Sequence, residues 1–226
     1  MDTKEKVKYT SQYYKKFTPL LDKKPHRLAK IPSIQDLRRY IFECGLKNDS
    51  VFLDLGCGSC YLLNYFSHIF SFNFVGMDIS PIALRIARQR FYEAKFKLFT
   101  GNSLSLSIKS ESIDIAFMNH IIEHFDLSDS EKVLSEVRRV LKPNGFLIIN
   151  TPDKTSLCWR LYKIFRDREE THFHEFEKKE FLQFLLKYFQ VIDFTRSNAF
   201  SRINGRLVNF FLRLFPGEMI VKCRKN

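Results

Sequence analysis

The 226-residue sequence lacks several features that would assign it to a class of protein at once. It contains no apolar run of the roughly 18 residues that a membrane span requires. Its charged N-terminus has no apolar segment typical of a secretory signal. Its five cysteines are odd in number and scattered, which does not fit a disulfide framework. These absences lead us to expect a cytoplasmic protein.

Two common nucleotide-binding motifs are also missing. No G-x-x-x-x-G-K-S/T occurs, which excludes a P-loop. The dinucleotide fingerprint G-x-G-x-x-G would need a third glycine where Tyr61 stands, so NAD or FAD fits poorly. Cys57 and Cys60 form a C-x-x-C in the same turn, but no second pair accompanies it. We therefore assign neither zinc binding nor redox chemistry to these two cysteines.

The net charge of +12 is carried by the two ends of the chain. Residues 1–47 carry a net charge of +7, residues 48–153 of −2, and residues 154–226 of +7. Basic flanks of this kind are typical of proteins that bind nucleic acids, anionic membranes or acidic substrates. Solvated surface lysines and arginines explain them equally well.

Apolar segments with strand character alternate with helical segments along the chain. Seven such segments are predicted as strands: 51–55, 72–78, 96–100, 113–118, 146–150, 191–195 and 219–223. Strands that alternate with helices of this length predict βαβ units and a parallel sheet with helices on both faces.

Polar residues mark the beginnings of the predicted helices. Ser33 is predicted to cap a helix with Phe42 on its apolar face, and Ser80 precedes Pro81 in a cap-then-proline pattern. Amphipathic patterns predict further helices over 128–141, 156–166, 177–187 and 203–215.

The segment VFLDLGCGSC carries the most specific chemical signal. A predicted strand ends in Asp54, and the turn of Gly56 and Gly58 follows it. Glycines permit the sharp turn and let a ligand approach the backbone. The next strand ends in Asp78, where a carboxylate can accept two hydrogen bonds from a ribose diol. An acidic residue just before the turn suits a ligand with a cationic amine or sulfonium.

Four segments in order resemble class I S-adenosylmethionine-dependent methyltransferases, of the small type that includes ubiquinone-biosynthesis O-methyltransferases. They are LDLGCG, VGMDIS, NSLSLSIKSESIDIAFMNHIIEHF and VLKPNGFLIINTP. The resemblance is strong over about residues 48–153 and weaker to about 195. It implies an α/β fold, with a Rossmann-like, seven-stranded, mostly parallel sheet, helices on both faces and the last strand antiparallel.

One domain is expected to span residues 1–226. Within it, residues 1–47 would form an N-terminal helical cap and residues 48–153 the cofactor-binding core. Residues 154–226 would supply acceptor-side helices and the last two strands.

The resemblance also implies that S-adenosylmethionine is the cofactor. Asp54, Gly56 and Gly58 would hold its methionine part, Asp78 its ribose hydroxyls and Ile79 one side of the adenine. The remaining implied cofactor residues follow the third and fourth strands: Asn102 and Ser103 at the adenine edge, and Asn119 beside the sulfonium.

Two positions depart from the family pattern. Cys60 stands where the family often has a third glycine, so the methionine end of the cofactor would be held less closely. Asn102 stands where the family commonly has aspartate, and an amide can still meet the adenine edge.

Histidines are the candidates for a general base, because imidazole titrates near neutral pH. We select His120, His124 and His174. The segment HIIEH also matches the inverted zinc-peptidase motif, in which His120 and His124 would share a helical face. This segment directly follows a predicted strand of the cofactor-binding sheet, so a zinc peptidase is only a remote alternative. No metal is assigned.

The expected reaction is methyl transfer to an O, N or C atom of a small-molecule or lipid-like acceptor. An RNA methyltransferase and a non-catalytic cofactor-binding protein are the alternatives. No recognisable RNA-binding module is present, so the prediction of nucleic-acid binding rests on charge alone. The basic residues mixed with Phe and Leu at 156–166 and 203–215 predict weak peripheral contact with anionic membranes. The sequence does not indicate an oligomeric state.

Overall fold

A computed structural model describes residues 28–157, 160, 172–198 and 216–226. The predicted helices at 156–166 and 203–215 lie almost wholly outside these ranges, so they remain predictions. No helix among the described residues is long and apolar enough to cross a membrane.

The elements of the described residues follow the predicted alternation closely. In chain order they are α1 (Pro32–Glu43), β1 (Val51–Leu55), α2 (Tyr61–Ser67), β2 (Asn73–Asp78), α3 (Pro81–Arg90), β3 (Lys97–Thr100), β4 (Ile113–Asn119), a 3₁₀ turn (Ile122–His124), α4 (Leu127–Val140), β5 (Leu141–Pro152), α5 (Lys178–Leu186), β6 (Gln190–Ser197) and β7 (Glu218–Arg224). All seven predicted strands are therefore confirmed, and β5 is longer than predicted.

The seven strands form one sheet in the order β3-β2-β1-β4-β5-β7-β6. β3, β2, β1, β4 and β5 run parallel, whereas β7 pairs antiparallel with both β5 and β6. The predicted fold, with its antiparallel last strand, is confirmed. Because β1, β2 and β4 are parallel neighbours, their carboxyl ends meet at one edge of the sheet, which we call the carboxyl edge.

Helices cover both faces of the sheet. Alternate strand residues point to opposite faces, so Phe52 packs with α1, α2 and α3, whereas Leu53 packs with α4 and α5. Both side chains are fully buried. Burial of an aromatic or aliphatic side chain of this size contributes about 1.5–3 kcal/mol, so both layers stabilise the sheet that carries the site.

One predicted helix cap, Ser80, is confirmed, and another, Ser33, is wrong. The Ser80 hydroxyl accepts a hydrogen bond from the Ala83 N–H and caps α3, as predicted. Ser33 does not cap α1, which begins one residue earlier at Pro32 behind Ile31. Phe42 was predicted on the apolar face of α1 but is 77% exposed, because it lies too far round the helix to reach the sheet.

A structural carboxylate lies at the opposite edge of the sheet. Asp114, near the start of β4, accepts a hydrogen bond of 2.8 Å from the Val51 N–H at the start of β1. Its two oxygens also accept hydrogen bonds from the Lys142 ammonium at 2.8 and 2.9 Å. Asp114 therefore ties three strands together far from the carboxyl edge, which makes it a useful control for carboxylates at that edge.

Candidate active site

The glycine turn between β1 and α2 is fastened to the end of β2. The Gly56 and Cys57 N–H groups both donate to the Met77 carbonyl oxygen, at 2.7 and 3.0 Å. Gly56, Gly58 and Cys60 all have positive φ angles, of 73°, 52° and 60°. The turn therefore uses a conformation that favours glycine at three of its positions, and Cys60 adopts it despite its side chain.

Gly56 has a second reason to be glycine. A Cβ atom at this position would lie 2.0 Å from Cδ1 of Ile121, far inside van der Waals contact. Ile121 follows β4, so the turn after β1 and the segment after β4 approach each other here without room for a side chain. Ile121 therefore packs directly against the backbone of Gly56.

Asp78 connects the turn to the start of α3. One carboxylate oxygen accepts a hydrogen bond from the Gly58 N–H at 2.7 Å, and the other accepts one from the Ser80 N–H at 2.8 Å. The side chain is only 6% exposed. These two bonds hold the carboxylate in one orientation at the end of β2, where the sequence predicted a ribose-binding residue.

Asp54 lies beside it at the end of β1, and it too is buried. Burial, followed by the negative charge of Asp78, raises the pKa of the Asp54 carboxyl to about 8. A carboxyl in this state is protonated at neutral pH until a positive group approaches. The pair of acids therefore favours a ligand that carries a positive charge.

The loop after β3 closes the other side of this edge. The Gly101 N–H donates to the Asp78 carbonyl oxygen at 3.1 Å, which ties the loop to the end of β2. The Asn102 side-chain oxygen accepts from the Leu104 N–H at 3.0 Å and shapes the turn. Asn102 is exposed, and Ile79 and Ser103 are half-buried, so all three border the open side of Asp78.

A polar cluster occupies the same edge at the ends of β4, β5 and β7. At its centre, the two ring nitrogens of His120 face Glu123 at 3.0 Å and Glu218 at 2.8 Å. Glu123 also accepts a hydrogen bond of 3.0 Å from the Thr151 hydroxyl. The Asn150 amide donates to Glu218 at 3.2 Å and to the Asn119 side-chain oxygen at 2.9 Å. We call these six residues the polar cluster.

The charges in the polar cluster shift each other's pKa values. Burial opposes the positive charge of His120, but the two carboxylates, Glu218 foremost, outweigh it and raise the His120 pKa well above 6.5. Burial alone would raise the pKa of Glu123, yet its hydrogen bond from His120 and the nearby His124 and His172 lower it to about 2. The polar cluster thus favours the charged form of His120 beside the ionised carboxylate of Glu123.

Sequence reasoning missed Glu218, Asn150, Thr151 and Tyr61. Burial, followed by the negative charges of Glu218 and Asp54, raises the pKa of the Tyr61 hydroxyl well above its ordinary value, and Tyr61 begins α2 directly after the glycine turn. Asn150 and Thr151 follow the rule that had selected Asn119, because they end the next parallel strand. Glu218 begins an antiparallel strand, and no strand-end rule for parallel sheets would have found it.

The histidine candidates do not lie together. His120 has a φ of 57° directly after β4, and only Ile122–His124 form a helical turn. His120 and His124 therefore do not share a helical face, and the geometry that the zinc-peptidase motif requires is absent from this segment. His174 pairs with Glu180 of α5 at 2.7 Å and packs on Phe176, outside the polar cluster.

Comparison with known proteins supports the class that this geometry indicates. Residues 53–149 match the family model described as a methyltransferase domain. The chain is 37% identical over 71 residues to a demethylmenaquinone methyltransferase of Chlamydia caviae, across 31% of this chain and 30% of the relative. It is 29% identical over 149 residues to a tRNA (carboxymethyluridine(34)-5-O)-methyltransferase of Arabidopsis thaliana, across 59% of this chain and 34% of the relative.

The fold itself matches solved structures over most of its length. A SAM-dependent methyltransferase from Methanosarcina mazei superposes with a TM-score of 0.65 at 22% identity, over 82% of this chain and 96% of that one. The matched domain and the fold together support a class I S-adenosylmethionine-dependent methyltransferase. The chain spans half or less of the length of the first curated relatives that it matches.

Proposed function

We propose that this chain transfers the methyl group of S-adenosylmethionine to an O, N or C atom of a small-molecule or lipid-like acceptor. The observation that carries the proposal is the pair of buried acids, Asp54 and Asp78, at adjacent strand ends beside the glycine turn. This pair suits a ligand that has both a ribose diol and a cationic amino-acid part.

The residues at the carboxyl edge fit the cofactor. Asp78 is oriented by two backbone N–H groups, and its oxygens would accept the ribose hydroxyls. The backbone of the half-buried Gly56 and Gly58 would meet the methionine part, and Asp54 would bind its ammonium group. Ile79, Asn102 and Ser103 would border the adenine, and Asn119 would lie on the sulfonium side. When bound, the cofactor supplies an activated methyl group.

The raised pKa of Asp54 predicts that cofactor affinity depends on pH. The ammonium of the cofactor pairs with the ionised carboxylate, so binding below pH 8 must first remove the proton that the free protein holds. Affinity for S-adenosylmethionine should rise from pH 6 to 8, by at most about tenfold per pH unit, and then level off. Calorimetry across this range measures it. Asp54→Asn should bind weakly with a flat profile, and an equally steep profile in this variant would contradict the assignment.

The polar cluster is the proposed acceptor side of the site. Both ring nitrogens of His120 face carboxylates, which raise its pKa, so neither nitrogen is open to a proton from the acceptor. We therefore move the base role from His120 to Glu218, whose carboxylate lies 2.8 Å from the His120 ring. His124 and His174 remain candidates only for roles outside this cluster. Alignment of the acceptor with the methyl group would supply most of the rate.

One buried atom indicates where a polar group of the acceptor would bind. The Asn150 side-chain oxygen is buried and has no hydrogen-bond partner among the described residues. Its amide nitrogen already donates to Asn119 and Glu218, so the orientation of the amide is fixed. An acceptor O–H or N–H group that reaches Asn150 would satisfy this oxygen, and Glu218 would then take up the proton.

The similarity to a demethylmenaquinone methyltransferase supports a lipid-like acceptor. The similarity to a tRNA methyltransferase, together with the basic flanks, supports RNA as the second candidate. The longer of the two alignments is to the tRNA enzyme, and the more identical is to the quinone enzyme. Neither decides the acceptor.

The test is methyl transfer from labelled S-adenosylmethionine to three acceptor sets: quinol-type lipids in anionic vesicles, small phenols and amines, and total tRNA. We expect label in the lipid or small-molecule products, and a loss of transfer in Glu218→Gln without loss of cofactor binding. Label in tRNA that falls steeply with salt would favour the RNA methyltransferase. Cofactor binding without transfer to any set would favour a non-catalytic binding protein.

A further inference from the structure

Positive charge is concentrated where α3 leads into β3, away from the residues assigned to methyl transfer. Residues 85–97 contain five Lys or Arg and one Glu, a net charge of +4, although residues 48–153 as a whole carry −2. We call the five cations the basic edge: Arg85, Arg88, Arg90, Lys95 and Lys97. All are exposed except Arg90, which is half-buried. We propose that the basic edge, together with the exposed ring of Tyr92, binds a single-stranded segment of RNA.

The fold brings these cations to one border of the molecule. β3 is an edge strand, with β2 as its neighbour in the sheet of the described residues. The Arg88 guanidinium donates a hydrogen bond of 2.8 Å to the Leu98 carbonyl oxygen, which ties the last turn of α3 to β3. Arg85 lies one turn earlier on the same face of α3, and Lys97 begins β3. The basic edge therefore lines the outer side of the junction between this helix and this strand.

An aromatic ring stands in water among these cations. Tyr92 is 79% exposed, in the turn between α3 and β3. The Ala94 N–H donates to the Phe91 carbonyl oxygen at 2.9 Å across this turn, and the Phe91 ring packs edge-on against Phe96, with centroids 6.3 Å apart. The turn is thus fixed to the fold while Tyr92 projects from it. Exposed aromatic rings beside a cationic track are surfaces on which unpaired bases stack.

The composition of this surface favours RNA over a membrane. A helix that lies on a membrane inserts several bulky apolar side chains, whereas Tyr92 is the one large apolar side chain exposed between residues 81 and 100. Three of the five cations are arginines, whose planar guanidinium groups bind phosphates through two parallel hydrogen bonds. RNA presents unpaired bases in its loops and ends, whereas the bases of duplex DNA are stacked inside the helix.

The strand β3 leads from the basic edge to the proposed cofactor residues. Lys97 begins the strand, and Thr100 ends it opposite Asp78 in the parallel register of β2 and β3. At about 3.3 Å per residue, the distance between the two ends is roughly 10 Å. RNA that follows β3 would therefore reach the carboxyl edge. The inference concerns where RNA binds, not which acceptor receives the methyl group, so its test is independent of the proposed function.

Fluorescence polarisation with a labelled, unstructured RNA of about 20 nucleotides tests the proposal, without cofactor and at several salt concentrations. Arg85→Gln with Lys97→Gln should lower RNA affinity about tenfold or more. The slope of log affinity against log salt should also fall by about 1.4, because two phosphate contacts are lost. Arg88 stays in place because its bond to Leu98 supports the fold.

The matched control removes the same charge from the opposite end of the sheet. Arg38→Gln with Lys179→Gln replaces two exposed cations on α1 and α5, which both pack against β6. β6 is the edge strand farthest from β3 in the strand order. The whole chain is basic, so RNA binding by the unmodified protein is not sufficient support. The control variant should bind RNA nearly as well as the unmodified protein.

Tyr92→Ala separates stacking from charge. This variant should lose about tenfold or more in affinity for the single-stranded RNA, because a base loses its stacking partner. It should keep the salt slope of the unmodified protein, because no phosphate contact is removed. Tyr92→Phe should bind like the unmodified protein, since the phenyl ring also stacks. Circular dichroism checks that each variant is folded.

Four results would overturn the proposal. The first is no RNA binding by the unmodified protein. The second is an equal loss in the Arg85 and Lys97 variant and in its control, which would mean that RNA responds to net charge alone. The third is unchanged affinity in Tyr92→Ala, or equal binding of single-stranded RNA and a fully paired RNA duplex. The fourth is a loss of binding to phosphatidylserine vesicles in the Arg85 and Lys97 variant with unchanged RNA binding, which would identify a membrane surface instead.

Discussion

Replacement of Asp78 by asparagine is expected to lower the affinity for S-adenosylmethionine by about 100-fold or more. Hydrogen bonds to a charged acceptor contribute about 1.5–3 kcal/mol each, and the ribose diol would make two of them. The Gly58 and Ser80 N–H groups each donate a hydrogen bond to the Asp78 carboxylate. In the variant, the NH₂ of asparagine would face one of these N–H groups and could not accept its hydrogen bond. Calorimetry with the cofactor and with its demethylated product measures the loss.

Asp114→Asn separates cofactor binding from fold stability. Asp114 also accepts a backbone N–H and holds strands together, but it lies at the other edge of the sheet. Both variants should have a lower melting temperature, whereas only Asp78→Asn should lose cofactor affinity. Equal affinities in the two variants would contradict the role that we assign to Asp78.

Gly56→Ala should have the largest effect on both folding and binding. The new Cβ would lie 2.0 Å from Ile121, in a residue whose φ is 73°. A left-handed conformation costs a residue with a side chain about 1–2 kcal/mol, and overpacking costs about 1–3 kcal/mol more. We expect unfolding to become easier by about 2–5 kcal/mol in denaturant titrations, with no measurable cofactor binding.

Gly45→Ala is the control for this variant. Gly45 has a similar φ of 61°, but its Cβ would meet nothing within 4 Å, so it reports the cost of conformation alone. Gly56→Ala should therefore be clearly more destabilising than Gly45→Ala. Addition of Ile121→Ala to Gly56→Ala should restore part of the difference. Equal losses at the two glycines, without rescue, would show that the close approach at Ile121 does not matter.

The fold was predictable because each strand carries its own local signal. VFLDL and IDIAFM are apolar except for one aspartate each, as expected of strands buried on both faces, and each is followed by turn or helix signals. Ser80 was identified as a cap because a hydroxyl before proline has few other uses at that position. Ser33 also precedes an apolar helical pattern, but it follows its proline, and Pro32 fits the first turn of α1, so the helix begins before the serine.

The sequence also predicted where the proposed cofactor residues lie in the fold. Asp54, Gly56, Gly58 and Asp78 lie within 25 residues, and each stands at a strand end or in the turn that follows one. These residues lie close in space because β1 and β2 pair in parallel, with Asp54 opposite Gly76. The raised pKa of Asp54 could not be predicted from the sequence, because it depends on the burial of this carboxyl in the fold.

The acceptor side depends on contacts between distant residues. Glu218 meets His120 across a separation of 98 residues, through an antiparallel strand that enters the sheet between β5 and β6. A histidine in a sequence indicates a possible base, but only the fold shows the two carboxylates that raise the pKa of His120. His172 likewise joins Glu123 and His124 only through the fold.

Isothermal titration calorimetry at pH 8 on the unmodified protein distinguishes S-adenosylmethionine from a dinucleotide as the ligand. We expect saturable binding of S-adenosylmethionine, with about one molecule per chain, and no heat of binding for NADH. Binding of NADH in the absence of any response to S-adenosylmethionine or its demethylated product would contradict this expectation.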